Sequence, residues 1–272
     1  MKKNIPGSKI SFMNRETIEL INTRRSCRAF RQEAVDGETV RELKRLTMRA
    51  PSAGNMLLYS VIEVTDPEKK AELAEICDSQ MMIKNAPLVW VFLADNNKWE
   101  KFFTYSGSPE KFSKPMRETG LGDMHLCMQD AIIAAQNAVI AAEALGLGSC
   151  YIGDVIENYE RLQKLLNLPA HAIPAAMLIM GYPLSEKREA VTPRPDPDSS
   201  LFMENGYADL TEEAIFSQYE HHRANYENKK LLPLDNTGSV ADYYYNRKYT
   251  SDFMDEMNRS AKVFITRWLN EQ

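Results

Sequence analysis

The stretch from about Leu121 to Leu145 constrains the fold most, because it has helical spacing and is apolar over most of its circumference between Ala131 and Ala144. Solvent cannot surround such a helix, so other elements must cover it. At 1.5 Å per residue it is about 37 Å long, more than the core of a small domain needs, which predicts that part of it lies in a subunit interface. Gln136, Asn137 and Glu143 interrupt it, so it does not read as a membrane span, and Gly146 and Gly148 end it.

The covering elements are legible on either side. Asn14 is a candidate cap for a helix presenting Ile18 and Ile21, which breaks at Thr23-Arg24-Arg25-Ser26. Asp36 caps a second helix with Val40, Leu43, Leu46 and Thr47 on one face, ending near Ala50-Pro51. Tyr59 to Thr65 reads as a half-buried strand, and Asp66-Pro67 starts a helix. Pro87 to Ala94 is apolar throughout, as a strand buried on both faces must be. After the long helix come a short strand, Ser149 to Gly153, a helix carrying Tyr159, Leu162, Leu165 and Leu166, and a strand from Ala175 to Met180. Prolines make the loop Pro193-Arg194-Pro195-Asp196-Pro197 rigid. Helices over about 212–226 and 251–269 follow, joined by a linker at 231–240, with Phe253, Met257, Phe264 and Trp268 on one face of the second. The class is α+β, with a mixed sheet between helices. At 272 residues, one core with smaller excursions is expected.

A formal net charge of -5 argues against nucleic acid or a membrane surface as partner. Cys27, Cys77, Cys127 and Cys150 show none of the close pairs of metal or redox motifs and are read as reduced. His125, His171, His221 and His222 lack further ligands at plausible spacing, so no metal is expected. The start, Met1 to Gly7, has no apolar signal core, and the expected location is the cytoplasm.

Arg24, Arg25 and Arg28 surround Ser26, a set of guanidinium forks and a hydroxyl that suits a phosphate or polyol; a solvated basic turn is the other reading. Pro51-Ser52-Ala53-Gly54-Asn55 offers hydroxyl, amide and backbone groups that suit the polar edge of a flat heterocycle, or serve as a plain turn. Gly146-Leu147-Gly148 follows a helix and lacks a third glycine, so it is no dinucleotide fingerprint. Gly148 to Gly153 fails the spacing of a nucleophile elbow. Asp95, Asp123, Asp130 and Asp154 sit beside different elements, so no acid or base is assigned.

Taken together, Arg24-Arg25-Ser26-Cys27-Arg28-Ala29-Phe30, Ala50 to Asn55, Ala141 to Gly148 with Tyr151-Ile152-Gly153, and Pro193-Arg194 followed by Glu204-Asn205-Gly206-Tyr207 resemble the FMN-dependent, oxygen-insensitive nitroreductase and flavin-reductase family, in its branch with a C-terminal helical extension. The resemblance implies a nitroreductase-like fold, with an FMN-binding domain over 14–210, a helical extension over 211–272 and a homodimer. It implies that Arg24, Ser26 and Arg28 hold the FMN phosphate and ribityl chain, with Arg25 in the same cofactor-binding turn and Arg194 as a further phosphate partner. Ser52 and Asn55 would meet the flavin or its ribityl chain, from within the same chain or across the dimer interface, Gln80 would read the isoalloxazine, and Tyr151, Ile152 and Gly153 would line it. Leu57 stands where many members place Gln, and Thr192 where the closer branch often has Lys. The implied activity is two-electron, ping-pong hydride transfer from NADPH or NADH through FMN to nitroaromatics, quinones or free flavin, without a covalent protein nucleophile. A flavin-binding protein without turnover and a specialised reductase such as a dehalogenase are the rival readings. Arg223, Lys229 and Lys230 are candidates for a nicotinamide 2′-phosphate, or a solvated basic stretch.

Overall fold

A computed structural model of the chain describes residues 12–185, 191–197, 201–207, 209–228 and 239–270. Helix α1 (Phe12–Thr23) begins before Asn14, which lies inside it rather than at its cap. Helix α2 (Gly37–Thr47) is capped as its sequence demands, Asp36 accepting from the Thr39 backbone N–H at 2.8 Å. Strand β1 (Tyr59–Glu63), α3 (Pro67–Ile76), the short α4 (Met81–Lys84) and β2 (Leu88–Asp95) follow. Two helices that hydropathy did not reveal, α5 (Asn97–Tyr105) and α6 (Ser108–Phe112), lead into α7 (Leu121–Ala144). Strand β3 (Gly148–Ile152), α8 (Tyr159–Leu166) and β4 (Ala172–Gly181) complete the sheet, and α9 (Glu212–Asn228), α10 (Val240–Tyr244) and α11 (Asp252–Asn270) close the described chain. Among the described residues no helix is long and apolar enough to cross a membrane.

The four strands lie in the order β1-β2-β4-β3, and every neighbouring pair is antiparallel. This corrects the expected mixed sheet. Strands β2 and β3 do point the same way, joined by a crossover through α7, but β4 lies between them, so no ladder between named strands is parallel. The parallel component among the described residues is one bridge, Ser26 to Ser149. Strand β4 begins at Ala172, earlier than expected, because Pro174 is accommodated where the β2–β4 register shifts at Phe92/Leu93.

Strand β2 is buried on both faces, and its alternation divides the core. Val89, Val91 and Leu93 join Leu73, Ile76 and Leu162 on one side of the sheet. Leu88, Trp90 and Phe92 face the other, where α2 brings Leu43 and α7 brings Ala131, Ala134, Ala135, Ala138 and Ala142. Alanines on that face let α7 approach the sheet closely. A third cluster joins Leu58, Ala94, Cys127 and Ile173 to Phe264 and Trp268 of α11. The Trp268 indole N–H donates to the Gly120 carbonyl at 3.1 Å, and His171 reaches the Trp268 carbonyl at 2.9 Å. The described residues before 189 and from 257 on form one compact unit, and 189–256 a second. Within the second, Tyr219 stacks on His222, and His222 meets Tyr244 edge-on.

The segment between α1 and α2 is laid along the edge of the sheet. Cys27 donates its backbone N–H to the Ser149 carbonyl at 2.8 Å, and Arg31 donates to the Tyr182 carbonyl at 2.9 Å. Gly148 makes this approach possible, since a Cβ there would stand 2.5 Å from the Cys27 Cβ and 2.8 Å from its Sγ. Gly148→Ala is therefore expected to destabilise the fold by about 1–3 kcal/mol, through forced displacement of a packed backbone. Thermal or urea denaturation of the purified variant measures this, and a wild-type midpoint would contradict the close approach.

Candidate functional site

Strand β3 gathers residues from three distant parts of the sequence. Along its edge lies the basic turn. Helix α1 ends as the Arg24 N–H donates to the Leu20 carbonyl at 2.9 Å. The bridge at Ser26 and the Cys27 hydrogen bond then hold the turn against Ser149. Arg24 is half-buried and Arg28 exposed. One nitrogen of Arg25, Nη1, is buried and has no hydrogen-bond partner. A buried guanidinium N–H without an acceptor is costly unless an anion satisfies it. Burial pushes the Cys27 thiol up, and its S–H donates to the Ala29 carbonyl at 3.3 Å. Burial does the same to the Cys150 thiol, which Arg28 and the Ser26 side chain partly offset. Neither cysteine is a ready thiolate.

Further along β3, Tyr151 lies partly open to solvent, and burial of its phenol pushes its pKa up to about 12 against the opposing charge of Arg24. The ring is thus a neutral phenol at any ordinary pH, with its hydroxyl 3.5 Å from Gln136 Oε1 of α7. Ile152 points its side chain into the core, so it can offer a ligand only its backbone. At Gly153 a Cβ would meet nothing within 4 Å, which leaves the backbone open to approach by a flat ligand. Gln80, from the turn before α4, donates Nε2 to Asp154 Oδ2 beside that glycine.

The loop before β1 is held by a different device. Gly54, Asn55 and Leu57 all take left-handed φ, at +56°, +59° and +52°. Ser52 Oγ accepts from the Leu57 N–H at 2.8 Å. Asp130 of α7, 2% exposed, accepts from the Ala53 N–H at 2.9 Å and from the Leu58 N–H at 3.0 Å. The Trp99 indole donates to the Met56 carbonyl at 2.8 Å. Ser52 Oγ thus accepts within the loop and keeps its O–H as a donor, and Asn55 is exposed.

Of the residues expected in a site, Arg24, Arg25, Ser26, Arg28, Tyr151, Ile152, Gly153 and Gln80 meet along or at the end of β3. Ser52 and Asn55 sit on the loop clamped by α7, and no described side-chain contact joins them to the basic turn. Arg194 belongs to the second unit, where its guanidinium donates to the Pro193 carbonyl at 3.2 Å. Lys229, Lys230 and the side chain of Arg223 lie outside the described residues. Gly148, Asp130 and Asp154 were not singled out from sequence as site builders. A carboxylate in the middle of an apolar helix was the available signal for Asp130, since such a group must find donors.

Residues 21–182 match the model of the nitroreductase family. The chain is 27% identical over 265 residues to an FMN reductase (NADPH) of Bacillus subtilis (strain 168), covering 94% of this chain and 97% of that one. It is 32% identical over 212 residues to the oxygen-insensitive NADPH nitroreductase of Salmonella typhimurium, covering 77% and 82%. Among solved structures, the NfrA1 nitroreductase from Bacillus subtilis superposes with a TM-score of 0.74 at 25% identity, over 91% of this chain and 98% of that chain. With the basic turn, the open glycine and the clamped loop each carried on an element of that fold, the chain belongs to the nitroreductase family.

Proposed function

We propose that the chain is an FMN-dependent NAD(P)H oxidoreductase that reduces nitroaromatics, quinones or free flavin by two-electron, ping-pong transfer. The observation that carries this reading is the buried, unsatisfied Arg25 nitrogen inside a turn of three arginines fixed to β3. Such a turn fits the terminal phosphate of FMN, an anion with several acceptor oxygens. Arg24, Arg25, Ser26 and Arg28 would hold the phosphate and ribityl chain. Tyr151, the Ile152 backbone and Gly153 would line the ring, Gln80 would read its polar edge, and Ser52 and Asn55 would meet it from the clamped loop. Arg194 enters this set from the sequence resemblance alone. When held by these residues, FMN would supply the redox chemistry that links the nicotinamide to the acceptor.

The protein's own residues position and shield. None is asked to act as a nucleophile, which agrees with cysteines whose thiols are pushed up by burial. Tyr151, held neutral, offers an uncharged surface with a single hydroxyl donor. The names of the relatives support NADPH as donor in those proteins; for this chain both nicotinamides remain within the proposal. A cytoplasmic location is kept as part of it, and the division at 14–210 and 211–272 is kept as one of sequence, since by packing the chain parts at 189 and 257 instead.

We also read the protein as a homodimer. Leu126, Ile132 and Ile133 of α7 are each at least 40% exposed, apolar groups set among His125, Gln129 and Gln136 on a face that a second copy would cover. Sedimentation at about twice the 31.1 kDa chain mass is the expected result, and a 31.1 kDa species would contradict it.

Purified protein is expected to be yellow, to bleach anaerobically with NADPH or NADH, and to regain colour with menadione or nitrofurazone. Colour without bleaching would reduce the proposal to flavin binding, and failure to bind added FMN would end it. Arg25→Ala should weaken FMN binding by about tenfold or more, as loss of a charge-assisted hydrogen bond of about 1.5–3 kcal/mol requires. The same variant without FMN should lose no more than about 1 kcal/mol, because the buried Nη1 has no partner to lose and only stem packing goes with it. Isothermal titration and thermal melts of both forms read the two effects separately. Arg194→Ala in the same titration should weaken binding similarly, and unchanged affinity would remove that residue from the set.

A further inference from the structure

The pair Gln80 and Asp154 closes the end of β3, and Gln80 reaches it through unusual backbone. After α3, Asp78 and Ser79 take left-handed φ of +55° and +54°, a conformation that side chains with a Cβ rarely adopt. That double turn delivers Gln80, whose N–H is held by the Ala74 carbonyl at 3.0 Å. From the other side, the tight turn Gly153–Ile156 carries Asp154 off the strand end. A second tie joins the same two segments, Asn158 Nδ2 donating to the Ile76 carbonyl at 2.9 Å. The chain thus accepts consecutive strained residues at the point where it aims one amide.

The polarity of the Gln80–Asp154 hydrogen bond has a chemical consequence. An ionised carboxylate only accepts, so it requires Nε2 on its side and cannot tolerate Oε1 there. The amide is therefore unable to turn over, and Oε1 is directed away from Asp154. A glutamine without such a partner can offer either a donor or an acceptor. This one is committed.

We propose that Asp154 is a positioning residue that fixes the Gln80 amide so that Oε1, an acceptor, is what the protein offers the isoalloxazine, selecting the ring's imide N–H. The inference rests on the FMN reading above and goes beyond it by assigning a role to Asp154 and a polarity to Gln80. It makes the recognition one of hydrogen-bond direction as well as shape.

The test is FMN titration into the cofactor-free protein, followed by flavin fluorescence and by the visible absorption of the bound flavin. Gln80→Glu sets two carboxylates against each other and should weaken binding by about tenfold or more, while Asp154→Asn frees the amide to turn and should weaken it by about threefold, with a shifted flavin band. In the double variant Gln80→Glu/Asp154→Asn, the new amide at 154 donates to the new carboxylate at 80, which still presents an oxygen to the ring. Its affinity should return to within about threefold of wild type, a rescue that a donor role for Gln80 forbids. Wild type should also bind 3-methyl-FMN more weakly than FMN, and Gln80→Leu should lose that preference. A double variant as weak as Gln80→Glu alone, or single variants with wild-type affinity and spectrum, would overturn the assignment of Asp154. So would Asn158→Ala weakening binding as much as Asp154→Asn, since it loosens the same turn without freeing the amide. If wild type itself fails to take up FMN, the underlying cofactor reading falls instead, and this inference falls with it.

Discussion

The packing of α7 against the β2–β4 face is the constraint on which the rest depends. Five alanines of that helix are fully buried there, against Trp90 and Phe92 on β2 and Leu178 on β4. Small side chains bring the helix close, so the large residues of the sheet fill the space between them. A close helix also places its one deeply buried carboxylate, Asp130, within reach of the loop before β1. The buried charge would be expensive alone. Two backbone N–H groups satisfy it, and the loop gains a fixed shape in return.

A similar logic acts at β3. The strand is short, and its ladder partner β4 covers one edge. Its other edge is covered by the basic turn, through the Ser26 bridge and the Cys27 hydrogen bond. That arrangement protects an edge that would otherwise present unpaired backbone groups. It also sets arginines beside Tyr151, which is why a charge on Arg24 is felt by that phenol. Edge protection and anion recognition are thus carried by the same few residues, and Gly148 is the small residue both need.

How much of this could be read from sequence depends on the range of the interaction. Asp36 and Asp66 announce their helices because a cap acts within three residues. Strand β2 announces itself because burial on both faces leaves a continuous apolar run. The order of the strands was not legible, since nothing local says that β4 inserts between β2 and β3; the expected mixed sheet failed there. Helix α5 was passed over although Trp99, Phe102 and Phe103 fall within five residues; they touch one another, and Trp99 also packs on the third core cluster. In the site, the arginine turn was visible as composition, whereas the partners of Gln80 and of the 52–57 loop were not. Asp154 lies 74 residues from Gln80 and Asp130 lies 77 from Ala53, and one sequence carries no signal for such pairs.

Leu57 shows how the two kinds of information separate. The resemblance leads one to expect glutamine there, and a left-handed φ of +52° adds strain for any branched or bulky side chain. Yet the conformation does not depend on what the side chain is. The Leu57 N–H is held by Ser52 Oγ, the following N–H by Asp130, and the preceding carbonyl by Trp99, so the backbone is determined from three directions. Exchanging an amide for an isobutyl group at this point therefore leaves the loop's path intact and alters only what it displays. The departure from the pattern that the resemblance implies is a change of surface chemistry on a backbone held independently of it, an apolar group where a hydrogen-bonding one is expected.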